Sequence, residues 1–67
     1  MAITLKSARV NKGLTQVEAS KIIGISVETL IKYEAGKTFP DVPIIKRIEE
    51  AYGVPYNDLI FLPSNNG

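Results

Sequence analysis

The sequence predicts an all-α fold of five short helices. Three observations carry this: side-chain caps recur just ahead of apolar runs at helical spacing, glycines close those runs at short intervals, and no stretch alternates usefully with the two-residue period of a strand. Leu5 to Lys12 is the first predicted helix, closed by Gly13. Thr15-Gln16-Val17-Glu18 has the form of a capping box, in which the Thr15 hydroxyl accepts an amide and Glu18 reaches back to the Thr15 amide. That second helix runs to about Ile23 and stops at Gly24. Ser26 caps a third, which runs through Tyr33 to about Ala35 and ends at Gly36. After a loop from Lys37 to Pro40, Asp41 caps a fourth helix through Tyr52, with Pro43 tolerated in its first turn. Tyr56 to Phe61 is read as a fifth short helix. The expected organisation is one domain over residues 1–62 and a flexible tail over 63–67.

A chain of 67 residues has little core to spend. Domains of this size bury only about 60% of the surface their unfolded chain exposes. With no Cys and no His, neither disulfides nor the usual zinc ligands reinforce it, and cysteine nucleophiles and Ser/His/Asp triads are excluded. No metal, no cofactor and no enzymatic activity are therefore expected. No apolar run approaches the ~20 residues of a membrane span and no signal segment opens the chain, so a cytoplasmic protein with no membrane partner is expected. The net charge is only +1. Its distribution is uneven: residues 1–38 carry six cations against three carboxylates, and residues 39–67 two against four. A positive first half suits a polyanion, although charged helix faces are commonly just solvated.

The segment from Thr15 to Gly36 holds the central motif. Two helices of about two turns each, joined by Gly24-Ile25-Ser26, suit a sharp crossing of roughly 90–120°. Ala19, Ser20 and Ile23 share one face of the first, small where the approach must be close, and Ile25 plugs the turn. Leu30 and Tyr33 face inward from the second, which leaves Val27, Glu28, Ile31 and Lys32 outward.

The run Arg9…Gly13-Leu14-Thr15-Gln16…Gly24-Ile25-Ser26…Thr29-Leu30…Tyr33-Glu34-Ala35-Gly36-Lys37 resembles the Cro/repressor class of helix-turn-helix regulators of phages and bacteria. Pro40…Ile45…Ile48…Ala51-Tyr52-Gly53-Val54…Asp58-Leu59 extends the likeness to roughly residues 3–61. The resemblance implies a compact, five-helix, lambda-repressor-like domain that binds double-stranded DNA. Val27, Glu28 and Lys32 fall where such proteins read base edges: Lys can donate to guanine, Glu can accept from the cytosine amine, and Val can touch a thymine methyl. Thr15, Gln16, Ser26, Thr29, Lys37 and Thr38 fall where phosphates are contacted. Arg9 and Glu34 match a structural pair that ties the first helix to the third. Plainer readings stand beside these. Lys32 can be a solvated side chain, Glu28 can repel wrong sequences or merely support Lys32, and Thr15 and Ser26 are helix caps first.

The chain departs from the class at Ala19, where Leu is usual, at Ser20, where Ala is usual, and at Glu49, where a small residue is common. Tyr56, Leu59, Ile60 and Phe61 exceed what one small domain can cover. Leu59 is expected to close the core, and Tyr56, Ile60 and Phe61 to form a two-fold homodimer contact, with Phe61 folding back on its own core as the alternative. The expected function is a sequence-specific transcriptional regulator, a phage or mobile-element repressor acting on a pseudo-palindromic operator. The rival is a protein-interaction module on the same fold, such as an antitoxin or the partner of a protein antagonist.

Overall fold

Four helices each start where a side-chain oxygen takes up a free amide of the first turn. In this computed structural model, which describes residues 2–61, they are α1 (Leu5–Asn11), α2 (Gln16–Ile23), α3 (Val27–Ala35) and α4 (Val42–Tyr52). Thr4, Thr15, Ser26 and Asp41 are the caps, accepting from Ser7, Glu18, Thr29 and Ile44 at 3.1, 3.1, 3.1 and 3.3 Å. The Thr15–Glu18 box is reciprocal, since the Thr15 amide donates back to Glu18 Oε1 at 2.9 Å. Caps of this kind contribute about 1 kcal/mol each. They matter in helices of two or three turns, which do not persist alone in water.

The predicted fifth helix is not formed. Tyr56–Asp58 makes a single 3₁₀ turn, after which Leu59–Ile60 is extended as strand β2. It pairs in parallel with β1 (Ile3–Thr4), Ile3 opposite Leu59 and Thr4 opposite Ile60. The physical reason is local and distant at once. Pro55 offers no side-chain cap, so nothing stabilises a second helical turn, while β-branched residues at both ends of the domain favour extended backbone. The fold is thus helical with a small closing strand pair. The expected tail, residues 63–67, lies outside the described residues.

The core is aliphatic and small. Leu5, Ala8, Ala19, Ile23, Leu30, Ile48, Tyr52 and Leu59 are buried, with Ile3, Leu14, Ile25, Tyr33, Ile44 and Phe61 among those packed around them. Leu59 closes it as expected, carried by the strand and not by a helix. Ala19 is fully buried at the α2–α3 crossing, where its small side chain permits close approach. Ser20 beside it donates its hydroxyl to the Val17 carbonyl at 2.8 Å, which satisfies a polar group in a buried position. Glu49 accepts the Tyr56 amide at 2.6 Å and so fastens the 3₁₀ turn to α4.

Gly24 makes the turn between α2 and α3. Its φ of 88° is left-handed, and its amide closes α2 on the Ser20 carbonyl at 2.8 Å. Arg47 of α4 reaches the same corner, its Nη1 donating to the Ile23 carbonyl at 3.5 Å, and a Cβ on Gly24 would stand 3.2 Å from that nitrogen. Gly24→Ala is expected to lose about 1–2 kcal/mol from left-handed strain. The loss is to be read by urea denaturation, and a variant as stable as the parent would show that the turn relaxes without cost.

Candidate nucleic-acid interface

Arg9 reaches from α1 across the domain interior to the last turn of α3. Its Nε donates to Glu34 Oε2 at 2.7 Å and its second terminal nitrogen to Oε1 at 3.3 Å, with side chains only 9% and 6% exposed. The remaining guanidinium nitrogen donates to the Leu14 carbonyl at 2.9 Å. Gln16, the first residue of α2, donates its amide to Glu34 Oε1 at 3.1 Å. One carboxylate therefore joins α1, α2 and α3 at a single point. Arg9 and Glu34 thus meet as a buried ion pair between the first helix and the third.

Tyr52 lies beneath this pair. It is 2% exposed, and its hydroxyl is a buried polar atom without a hydrogen-bond partner. Burial, with the Glu34 carboxylate adding and Arg9 subtracting, pushes its phenol from 10.0 up to about 12. The sequence reading did not single out Tyr52; a tyrosine on an otherwise apolar helix face was the available signal.

With the inner faces committed, the outer face of α3 is open to solvent. Leu30 is fully buried, while Glu28, Ile31 and Lys32 are exposed and Val27 is half-buried. Glu28, Ile31, Lys32, Ala35 and Lys37 line one shallow depression along that face. Glu28 and Lys32, one turn apart, and Lys37 are therefore brought together; Val27 is not among the lining residues. Thr15, Ser26, Lys37 and Thr38 are exposed, and Thr29 is half-buried with its hydroxyl 2.8 Å from that of Ser26. Thr15 and Ser26 act as caps, as the plainer reading had it, and their outer faces remain open. Tyr56 and Phe61 meet with ring centroids 5.7 Å apart, but the strand alternation sends Ile60 away from Leu59 and Phe61. Phe39, 62% exposed and 6.2 Å from Phe61, belongs to that aromatic group and was missed; an aromatic between Thr38 and Pro40 in a polar loop was its signal.

The capped crossing of α2 and α3, locked by Arg9 and Glu34, defines a small helix-turn-helix domain with its second motif helix turned to solvent. The chain belongs to the helix-turn-helix family, which it matches over residues 5–59. An uncharacterised HTH-type transcriptional regulator of Methanothermobacter thermautotrophicus is 30% identical over 67 residues, covering 100% of this chain and 97% of the relative. Antitoxin PezA of Streptococcus pneumoniae serotype 4 is 36% identical over 56 residues, 84% of this chain; the match spans 35% of that protein. No solved structure matches the chain. Among the described residues, no helix is long and apolar enough to cross a membrane.

Two outcomes follow from the buried pair. Arg9→Ala leaves the Glu34 carboxylate without its cation and is expected to cost about 3–5 kcal/mol of folding free energy in denaturant titrations. Tyr52→Phe removes only an unpaired hydroxyl and is expected to be neutral or stabilising at pH 7. A phenol whose folded pKa lies above its unfolded value places no ionisation penalty on the fold below about pH 10, and stability is then lost as pH rises through about 12. The parent should accordingly lose more stability than Tyr52→Phe across that window, and parallel pH profiles would contradict the assigned environment.

Proposed function

We propose that the chain is a sequence-specific DNA-binding transcriptional regulator that lays the outer face of α3 in the major groove. The observation that carries this is the division of α3: Leu30 sealed in the core and Glu28, Ile31 and Lys32 offered on one exposed face. The groove of B-DNA is about 12 Å wide and admits a single helix. Lys32 can donate to guanine O6 and N7, Glu28 can accept from a cytosine amine, Val27 can meet a thymine methyl, and Ile31 adds apolar contact with sugar or methyl groups.

The phosphate contacts follow from helix starts. The N-termini of α2 and α3 present amides and the positive ends of their dipoles, with Thr15, Gln16, Ser26 and Thr29 beside them. Gln16 spends one amide hydrogen on Glu34, which leaves the other for a phosphate oxygen. Lys37 and Thr38 follow the end of α3 and complete the set. A pair of such domains related by a two-fold axis, joined through Tyr56, Phe61 and Ile60, would set two α3 helices about 34 Å apart on a pseudo-palindromic operator. A repressor of phage or mobile-element type, working by occluding promoter DNA in the cytoplasm, is the form of regulation this geometry suits.

A second reading is favoured by one observation, the similarity over 56 residues to a protein named as an antitoxin. On it, the same domain also holds a protein partner, and DNA binding need not be its main task.

Selection of bound sequences from a random DNA library at moderate salt tests the first reading directly. An inverted repeat with half-sites about one helical turn apart is expected. On that site Lys32→Ala should cost about 1–3 kcal/mol and relax one base position, whereas Gln16→Ala should weaken all sequences alike. Lys37→Ala should reduce the salt slope by about one. Unchanged cognate affinity in both Lys32→Ala and Gln16→Ala would assign the wrong face, and enrichment of no sequence would favour the protein-partner reading.

A further inference from the structure

Gln16 is the chain's one glutamine, half-buried at the first position of α2, with one amide hydrogen already engaged by the interior. Its Nε2 donates at 3.1 Å to Glu34 Oε1, the oxygen that also accepts from Arg9 at 3.3 Å. A primary amide has a donor end and an acceptor end of nearly the same shape, whereas a carboxylate only accepts. Glu34 therefore admits one of the two amide orientations. Turned over, Gln16 would set its carbonyl oxygen against a carboxylate oxygen, with a hydrogen bond replaced by repulsion between two acceptors. A carboxylate beside a DNA phosphate ordinarily repels it. Here its charge is cancelled by Arg9, whose Nε lies 2.7 Å from Oε2, so Glu34 holds Gln16 as one half of a neutral pair.

We propose that Glu34 is a positioning residue for DNA binding: it orders the Gln16 side chain before DNA arrives, with one N–H held and the other free for a phosphate oxygen. The inference rests on the DNA-binding reading, and it gives a share in affinity to a pair otherwise assigned to stability. A free surface glutamine is among the side chains that lose most rotamer freedom when fixed. Fixing one such side chain on binding lowers affinity by about two- to tenfold, and a side chain already fixed by folding escapes that loss. The bond also runs between the two motif helices, from α3 to the start of α2. The residue that grips the backbone and the helix that reads bases are thereby held in one register, which is what phosphate contacts contribute to recognition. Since no base is touched, the effect is the same on every sequence.

Replacing the whole pair, Arg9→Met together with Glu34→Leu, tests this. A buried ion pair exchanged for apolar side chains of similar size commonly keeps the fold, and the net charge stays unchanged. Folding is checked by circular dichroism. Affinity is read by fluorescence anisotropy on duplexes of several sequences at about 50 mM salt, where binding through phosphates is strong. The replaced pair should bind every duplex about two- to tenfold more weakly than the parent. Gln16→Ala should then cause a smaller further loss in that background than in the parent, since both changes disable one device. A purely structural pair predicts otherwise: affinity unchanged, or lowered with Gln16→Ala as harmful as before, and either result overturns the inference. The free parent chain supplies a second measurement that needs no variant. One Gln16 side-chain amide proton should exchange with solvent more slowly than the other in NMR spectra. Two protons exchanging alike overturn the inference, even where the replaced pair does not fold. A chain that holds this proton yet binds no duplex loses the DNA-binding reading, and the positioning role falls with it. A chain that binds DNA with both protons free loses the positioning role alone.

Discussion

The buried ion pair between Arg9 and Glu34 is the constraint on which the rest of the domain depends. Taking two charges out of water costs several kcal/mol for each ion, and only close geometry with further hydrogen bonds repays it. Here both are present. Arg9 donates to both oxygens of Glu34 and to the Leu14 carbonyl, and Glu34 takes a third donor from Gln16. A well-packed apolar pair of the same volume could be as stable. What it would lack is direction: a planar guanidinium fork meeting a carboxylate accepts one mutual orientation, and these groups sit on α1, the α1–α2 connection and α3. In a chain with so small an aliphatic core, direction is the scarcer resource.

From that lock the exposed surface follows. Glu34 faces inward in the last turn of α3, so residues on the opposite side of the helix must face out, and Glu28 and Lys32 do. The same lock leaves one polar atom unserved. The Tyr52 hydroxyl, close enough to feel both charges of the pair, is buried without a hydrogen-bond partner. A ring of tyrosine size fills the same small core as the fully buried Ala19, and an unmade hydrogen bond accompanies that packing. The volume is needed at this depth; the oxygen is not.

Much of this was legible in the sequence, because caps and glycine stops are local signals. Thr15, Ser26 and Asp41 act within three residues of themselves, and the helices begin where those residues place them. The inward set of Ala19, Ser20, Ile23 and Leu30 follows from helical period alone. The end of the chain was not legible for the opposite reason. Leu59-Ile60 becomes a strand only because Ile3-Thr4, more than fifty residues earlier, offers unpaired backbone beside it, and nothing near Tyr56 announces that partner. Phe39 was hidden in the same way: its neighbours Tyr56 and Phe61 are distant in sequence, so the cluster exists only after folding. The charges and polar groups of α3 were visible as residues facing outward, but their meeting with Lys37 along one depression needed the turn at Gly36.

These surfaces also bear on how so small a protein can be selective. One short helix offers two or three base contacts, each worth about 1–3 kcal/mol of discrimination, and sequence-independent phosphate attraction accompanies them. A single domain is therefore a poor reader by itself. A contact of small area holds a pair of domains together poorly by itself, too. Placed on one stretch of DNA, however, two copies meet at the effective concentration of neighbours, which reaches the millimolar range for closely tethered sites and can raise avidity a hundredfold or more without any new contact. A weak interface is then an advantage. It contributes when two half-sites stand at the right spacing and contributes little elsewhere, so spacing itself becomes part of what is read. A stronger interface would hold the pair together on every sequence alike and would remove that dependence. On the proposed function, α3 would read each half-site and the pairing of two copies would read the distance between them.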